Sequence, residues 1–79
     1  MRIKKNIATS EEGFIFNPGT GDSFSTNQIG NEIIELLKNE IPLAEIIDIT
    51  CSKYYVDPNQ FTKDLDEYLT LLKNYTILE

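Results

Sequence analysis

The spacing of hydrophobic residues changes near the middle of the chain, and this change predicts strands before helices. In the first part, Ile3 and Ile7 stand among polar neighbours, and the run FIF follows at residues 14–16. Alternation and short branched or aromatic runs are typical of β-strands. We therefore predict strand 1 within the first dozen residues and strand 2 at the FIF run.

The segment NPGTGDSFST, residues 17–26, predicts a hairpin. Asn17 and Pro18 stop strand 2, because proline fixes its own φ and lacks a backbone donor. The two glycines that follow can adopt positive φ at little steric cost. The chain can therefore reverse, and Asp22–Thr26 can return beside strand 2 as strand 3.

From Asn27 onward the apolar residues recur every three or four positions, which predicts three helices. Asn27 is a suitable N-cap for helix 1, which we expect to end near Lys38. Pro42 suits the first position of helix 2, and Asp57 followed by Pro58 marks the start of helix 3. The apolar faces contain Ile29, Ile33, Leu36 and Leu37 in helix 1, Leu43, Ile46, Ile47 and Tyr54 in helix 2, and Phe61, Leu65, Tyr68, Leu69 and Leu72 in helix 3.

These elements predict one α+β domain over residues 1–79, winged-helix-like, with the order β-β-β-α-α-α. It would combine an N-terminal three-stranded antiparallel sheet with a three-helix bundle. Gly30 lies inside helix 1, where glycine costs about 1 kcal/mol relative to alanine. We expect this glycine to allow close packing against another backbone.

Composition argues against several classes of function. Seven basic and thirteen acidic residues give a net charge of −6, which repels nucleic acid and anionic lipid. No histidine is present to activate a serine or bind zinc, and the single cysteine allows no internal disulfide. No segment has the pattern of a signal peptide or a membrane span. We predict a cytoplasmic protein that is not an enzyme and has no cofactor, metal, nucleic-acid or membrane partner.

The sequence GTGDS at residues 19–23 permits other interpretations. It has glycines like a phosphate loop but lacks the lysine of GxxxxGK[ST]. Followed by Phe24, it also resembles the Asp-Ser-Leu motif of acyl and peptidyl carrier proteins, whose serine bears phosphopantetheine. A long helix precedes that motif in carrier proteins, whereas strand-like residues precede it here. A carrier with a modified Ser23 is the alternative function, and an unrelated winged-helix interaction module is the third.

Strand 3 has an outer edge that the sequence does little to protect. Beyond the aspartate at its start, Asp22–Thr26 contains no lysine, proline or bulge signal. An extended peptide could add to this edge through main-chain hydrogen bonds. A second copy of the chain could pair there as well, so a homodimer stays open as an alternative.

Four segments, taken in order, resemble the PqqD-like family of peptide chaperones, also called the RiPP recognition element. They are GFIFNPGTGDSFSTNQIGNEIIELLKN, AEIID, YYVD and DLDEYLTLLKNYTIL. The resemblance covers nearly the whole chain. It depends most on the hairpin pattern T-G-x-S-F-S-x-N, the glycine in helix 1 and the final pattern D-L-x-x-[FY]-L-x-x-L.

The resemblance implies a non-catalytic domain that binds the leader of a ribosomally made precursor peptide. It also implies that the domain presents the leader to a modifying enzyme, such as a radical SAM or kinase-like protein. In the family the leader lies as an antiparallel strand on strand 3, in a groove completed by helix 3. The corresponding peptide-binding residues are Ser23, Phe24, Ser25 and Thr26 on strand 3 and Phe61, Asp64, Leu65 and Tyr68 on helix 3. Strand alternation favours burial of Phe24 over the serines beside it.

Overall fold

Three strands followed by three helices form the described part of the chain, residues 2–79 of a computed structural model. The strands are β1 (Ala8–Thr9), β2 (Phe14–Asn17) and β3 (Asp22–Ser25), and the helices are α1 (Gln28–Lys38), α2 (Leu43–Tyr54) and α3 (Pro58–Asn74). The predicted fold class and element order are confirmed. Within residues 2–79, no helix has the length and apolar character needed to cross a bilayer.

The sheet is antiparallel with the order β1-β2-β3, so β3 lies at one edge. Phe24 pairs with Ile15 in the register between β3 and β2. Gly21 closes the predicted hairpin with a φ of 80°, and its N–H donates to the Asn17 carbonyl at 2.8 Å. Within the described residues β3 pairs with β2 alone, so its outer edge is open.

The first strand is shorter than predicted. β1 contains only two residues, and Ile3 instead forms an isolated antiparallel bridge with Leu78. The Lys4 carbonyl accepts from the Ile7 N–H at 3.2 Å, and this turn separates Ile3 from β1. Ile3 and Ile7 are both buried. The spacing therefore identified buried positions, but the backbone partner of Ile3 lies at the other end of the chain, where a local pattern does not reach.

The predicted caps begin two of the helices. The Asn27 Oδ1 accepts from the Gly30 N–H at 2.8 Å, and the Asp57 Oδ2 accepts from the Gln60 N–H at 3.3 Å. Each bond satisfies a first-turn N–H that has no partner inside its helix. Pro42 lies one position earlier than predicted. Its backbone is extended, with ψ of 147°, so it is the residue before α2 rather than the first residue within it.

The core lies between one face of the sheet and the three helices. Ile15 on β2 is fully buried on that face, whereas Phe14 and Phe16 are 59% and 43% exposed on the other. The sheet therefore has one covered and one open face. The largest fully buried side chains are Ile15, Ile34, Leu37, Ile46, Leu72 and Ile77.

The segment after α3 is anchored to the hairpin. Thr76 has a φ of 55°, and this turn directs Ile77 and Leu78 into the core. The buried Asn17 side chain donates through Nδ2 to the carbonyls of Tyr75 at 3.2 Å and Thr76 at 3.3 Å. A polar side chain at the end of β2 thus connects the hairpin to the end of the last helix.

Replacing Thr76 with glycine should stabilise the protein by about 1 kcal/mol and raise its Tm by about 4–8 °C. The left-handed region is strained for a β-branched residue but not for glycine, and the greater freedom of unfolded glycine offsets part of the gain. Thr70→Gly is the matched control. Thr70 is exposed within α3, so the same change should destabilise by about 0.3–0.5 kcal/mol, because threonine is itself a weak helix former and glycine a weaker one. Thermal unfolding measures both variants, and a lower Tm for Thr76→Gly would contradict the argument.

Candidate functional site

β3, α1 and α3 enclose a groove of about 780 Å³. Its size lies within the usual range for binding sites of small ligands and peptide side chains. Apolar residues form most of its wall. These are Phe24, Ile29, Ile33, Val56, Phe61, Leu65 and Leu71.

Most of the predicted site residues lie in this groove. Seven of the eight line it, namely Phe24, Ser25, Thr26, Phe61, Asp64, Leu65 and Tyr68. The eighth, Ser23, is exposed on β3 and lies outside the lining. The fold thus brings the hairpin beside a helix far away in sequence. The part that each residue plays in binding stays a prediction.

The backbone of β3 presents hydrogen-bonding groups at its open edge. The Phe14 carbonyl accepts from the Ser10 N–H at 3.0 Å, so the Phe14 backbone faces β1. Phe14 and Ser25 therefore form a non-hydrogen-bonded pair. Because hydrogen-bonded and non-hydrogen-bonded pairs alternate along an antiparallel ladder, Phe16 and Ser23 form a non-hydrogen-bonded pair as well. The N–H and C=O groups of Ser23 and Ser25 consequently point away from β2.

Phe24 lies on the covered face of the sheet, as predicted. It is half-buried, whereas Ser23 and Ser25 are exposed. Its ring stacks on Tyr75 with centroids 4.9 Å apart and an angle of 29° between the planes. Such aromatic pairs contribute about 0.5–1.5 kcal/mol beyond the area they bury. The ring therefore attaches β3 to the end of α3 while the backbone on either side stays accessible.

A hydrogen bond joins the base of the hairpin to the middle of α3. The Tyr68 hydroxyl donates to Thr26 Oγ1 at 3.0 Å and lies 3.4 Å from the Gly30 carbonyl. Burial raises the pKa of the Tyr68 phenol above its ordinary value, and the hydrogen bond with Thr26 opposes the shift. The phenol therefore keeps its proton at neutral pH and remains a donor.

Gly30 provides the space for this hydrogen bond. A Cβ at Gly30 would lie 2.0 Å from Thr26 Oγ1, 3.1 Å from the Tyr68 hydroxyl and 3.2 Å from Asn27 Oδ1. The close approach expected at this glycine is present, but the neighbours are side chains rather than the backbone that we predicted. The difference arises because the Thr26–Tyr68 pair fills the space between hairpin and helices.

Part of the α3 wall was not predicted from the sequence. Gln60, Asp64, Glu67 and Leu71 line the groove at helical spacing, and only Asp64 was predicted. Leu71 is 40% exposed, so it has apolar surface still available for contact. The signal was present in the sequence as a second helix face beside the apolar positions of the core.

The carrier-protein alternative does not fit the position of Ser23. The residues before it form β1 and β2 rather than a long helix, and Ser23 lies within β3, paired with Phe16. Residues 2–79 contain no group of three or more His, Cys, Asp or Glu residues that could hold a metal ion.

Comparisons with known proteins identify the family of the chain and a similar fold. A family model for coenzyme PQQ synthesis protein D (PqqD) matches residues 12–78. The chain belongs to the PqqD family. Its fold is also similar to a solved structure of TbiB1 in complex with the TbiA(beta) leader peptide, with a TM-score of 0.92 and 28% sequence identity, over 100% of this chain and 95% of the matched chain. No curated protein sequence gives a significant match. The resemblance to the PqqD-like family is thereby confirmed.

In this PqqD-family protein, Gly30→Ala should lower the free energy of unfolding by up to about 2 kcal/mol. Helix propensity alone would raise stability by about 1 kcal/mol. The new Cβ, however, displaces the Thr26 hydroxyl from Tyr68 and crowds the Asn27 cap, and overpacking of this kind typically costs about 1–3 kcal/mol.

A double-mutant cycle isolates the cause. In a Thr26→Ala background the obstructing oxygen is gone, so Gly30→Ala should cost about 1 kcal/mol less than in the wild type. Denaturant unfolding of the four proteins measures the difference. An equal cost in both backgrounds would show that the Thr26 hydroxyl does not determine the need for glycine.

Proposed function

We propose that this PqqD-family protein is a non-catalytic adaptor that binds the leader of a ribosomally synthesised precursor peptide and presents it to a modifying enzyme. In this proposal the leader binds by β-strand addition at β3. The observation that supports it most is the open edge of β3, with the outward backbone groups of Ser23 and Ser25, directly beside an apolar groove. The similar fold of TbiB1, in complex with the TbiA(beta) leader peptide, supports it as well.

The bound leader would form a fourth, antiparallel strand. Ser23 and Ser25 each offer one N–H and one C=O to it, and each main-chain hydrogen bond contributes about 0.5–1.5 kcal/mol net. Alternate side chains of the leader would enter the groove. Each buried apolar side chain would contribute about 1.5–3 kcal/mol.

The groove residues would contribute unequally. Phe61 and Leu65 are 6% and 3% exposed, so they form the floor and have little surface left to bury. Phe24 and Val56 are half-buried and Leu71 is exposed, so these side chains can lose more apolar surface to a peptide. We therefore assign the larger share of apolar contact to the rim of the groove.

The chemistry on the precursor is assigned to a separate enzyme, such as a radical SAM or kinase-like protein, in the cytoplasm. The adaptor would hold the leader in an extended conformation. The segment beyond the leader would then be free to enter the active site of the enzyme. A second copy of the chain on β3 would compete with the leader for the same backbone groups. We therefore propose that the leader binds to a chain whose β3 edge is not paired with another copy.

Ser25→Pro should weaken leader binding by about tenfold or more. Because the Ser25 N–H faces the open edge, proline removes a donor that the leader would use without removing one from the β2–β3 ladder. The ring also obstructs the approaching strand. Fluorescence anisotropy measures the affinity, with labelled peptides translated from the short open reading frames beside the gene.

Thr9→Pro is the matched control on the opposite edge of the sheet. Ser10 donates to Phe14, so alternation directs the neighbouring Thr9 N–H away from β2. The affinity of this variant for the leader should stay within about twofold of the wild type. Thermal unfolding tests whether both variants fold. The proposal is wrong if folded Ser25→Pro binds like the wild type, if no peptide binds, or if NMR shifts on binding avoid residues 22–26 and 58–69.

A further inference from the structure

We infer that the groove selects a leader with basic side chains on the N-terminal side of its apolar anchors. Three carboxylates, those of Asp57, Asp64 and Glu67, line the groove, and no lysine or arginine lines it. This inference rests on the proposed function and specifies the chemistry of the peptide that the same site would accept.

Basic residues of the protein do not neutralise these carboxylates. Asp57 caps α3 and Asp64 accepts from the Gln60 Nε2 at 3.1 Å, and both bonds come from uncharged donors. No ion pair of residues 2–79 involves a groove carboxylate. The pairs found there are Arg2–Glu40, Arg2–Glu79, Lys38–Glu35 and Lys53–Glu32.

The acidic residues that line the groove and the basic residue Lys63 lie on different faces of α3. Lys63 lies with Asp66 at a smaller cavity of about 250 Å³, away from the groove. The dipole of α3 adds only about half a positive charge near Asp57, which is small beside three carboxylates. The face turned toward β3 is therefore negative, and charge complementarity at such a surface determines which partners bind and in which register.

The direction of α3 relative to β3 predicts where the basic side chains lie along the leader. Tyr68 in the middle of α3 contacts Thr26, and Tyr75 after its end contacts Phe24, so α3 runs opposite to β3. A leader antiparallel to β3 runs in the same direction as α3. It meets the turns that carry the three carboxylates before it reaches the rim residues Phe24 and Leu71 near the end of the helix. Asp57 and Glu67 are about 15 Å apart along the helix, which matches about four to five residues of extended peptide.

A display library of random 15-residue peptides tests the inference. It is selected on the wild type, on Ser25→Pro, on the groove variant Asp64→Asn/Glu67→Gln, and on the control variant Asp48→Asn/Asp66→Asn. The control removes the same two charges from exposed positions outside the groove. The wild type and the control should both enrich peptides with Lys or Arg N-terminal to their apolar residues, and the groove variant should lose this enrichment.

The outcomes separate the inference from the proposed function. Equal recovery on Ser25→Pro and the wild type would contradict strand addition itself. Recovery that depends on Ser25 but shows no basic enrichment, or shows it only on the C-terminal side, would overturn the inference and leave strand addition standing. Basic enrichment that persists on the groove variant would also overturn it, because the net charge of the protein would then explain the preference.

Affinity and salt dependence provide the quantitative test. For one enriched basic peptide, Asp64→Asn/Glu67→Gln should weaken binding by about 3- to 10-fold in 50 mM salt. In 500 mM salt the effect should fall below about twofold, because exposed charges are then screened within a few ångströms. The control variant should change affinity by less than about twofold in both buffers. Equal effects of the two double variants would contradict a role for the groove carboxylates.

Discussion

The hydrogen bond from Tyr68 to Thr26 connects the base of the hairpin to α3, and the groove depends on the distance that it sets. Two further attachments join the hairpin to the end of α3: Phe24 within β3 stacks on Tyr75, and the Asn17 amide at the end of β2 donates to the carbonyls of Tyr75 and Thr76. Held at these three positions, the hairpin stays beside the helix without closing onto it. The space between them is what the proposed leader would fill.

Because β3 is pleated, the residue that attaches it to the core and the backbone groups proposed to bind the leader point in different directions. Phe24 points toward the core and anchors the strand, while the backbone groups of the serines on either side point outward. Sheet edges are usually protected against pairing, and within the described residues this one is not. A strand that supports the fold can thus also offer its edge to a peptide, since the two tasks use different groups.

α3 serves the core, the groove and the solvent with different faces. Leu65, Leu69 and Leu72 are buried in the core. The groove face carries Asp64 and Glu67, and Lys63 lies on another side. Gly30 belongs to the same arrangement, because its missing side chain lets α1 approach the hydrogen bond that positions α3. Stability and the charge of the groove are therefore properties of one helix.

The sequence by itself determined the element order, the two side-chain caps, the hairpin and most of the buried positions, because these follow from periodicity, capping and turn preferences over a few neighbouring residues. The motifs that resemble the PqqD-like family also led to seven residues that line the groove. Only the tertiary structure decided that Ile3 pairs with Leu78, that side chains surround Gly30, and that the acidic face of α3 turns toward β3. These features depend on how segments distant in the chain pack together, and no local pattern records that geometry.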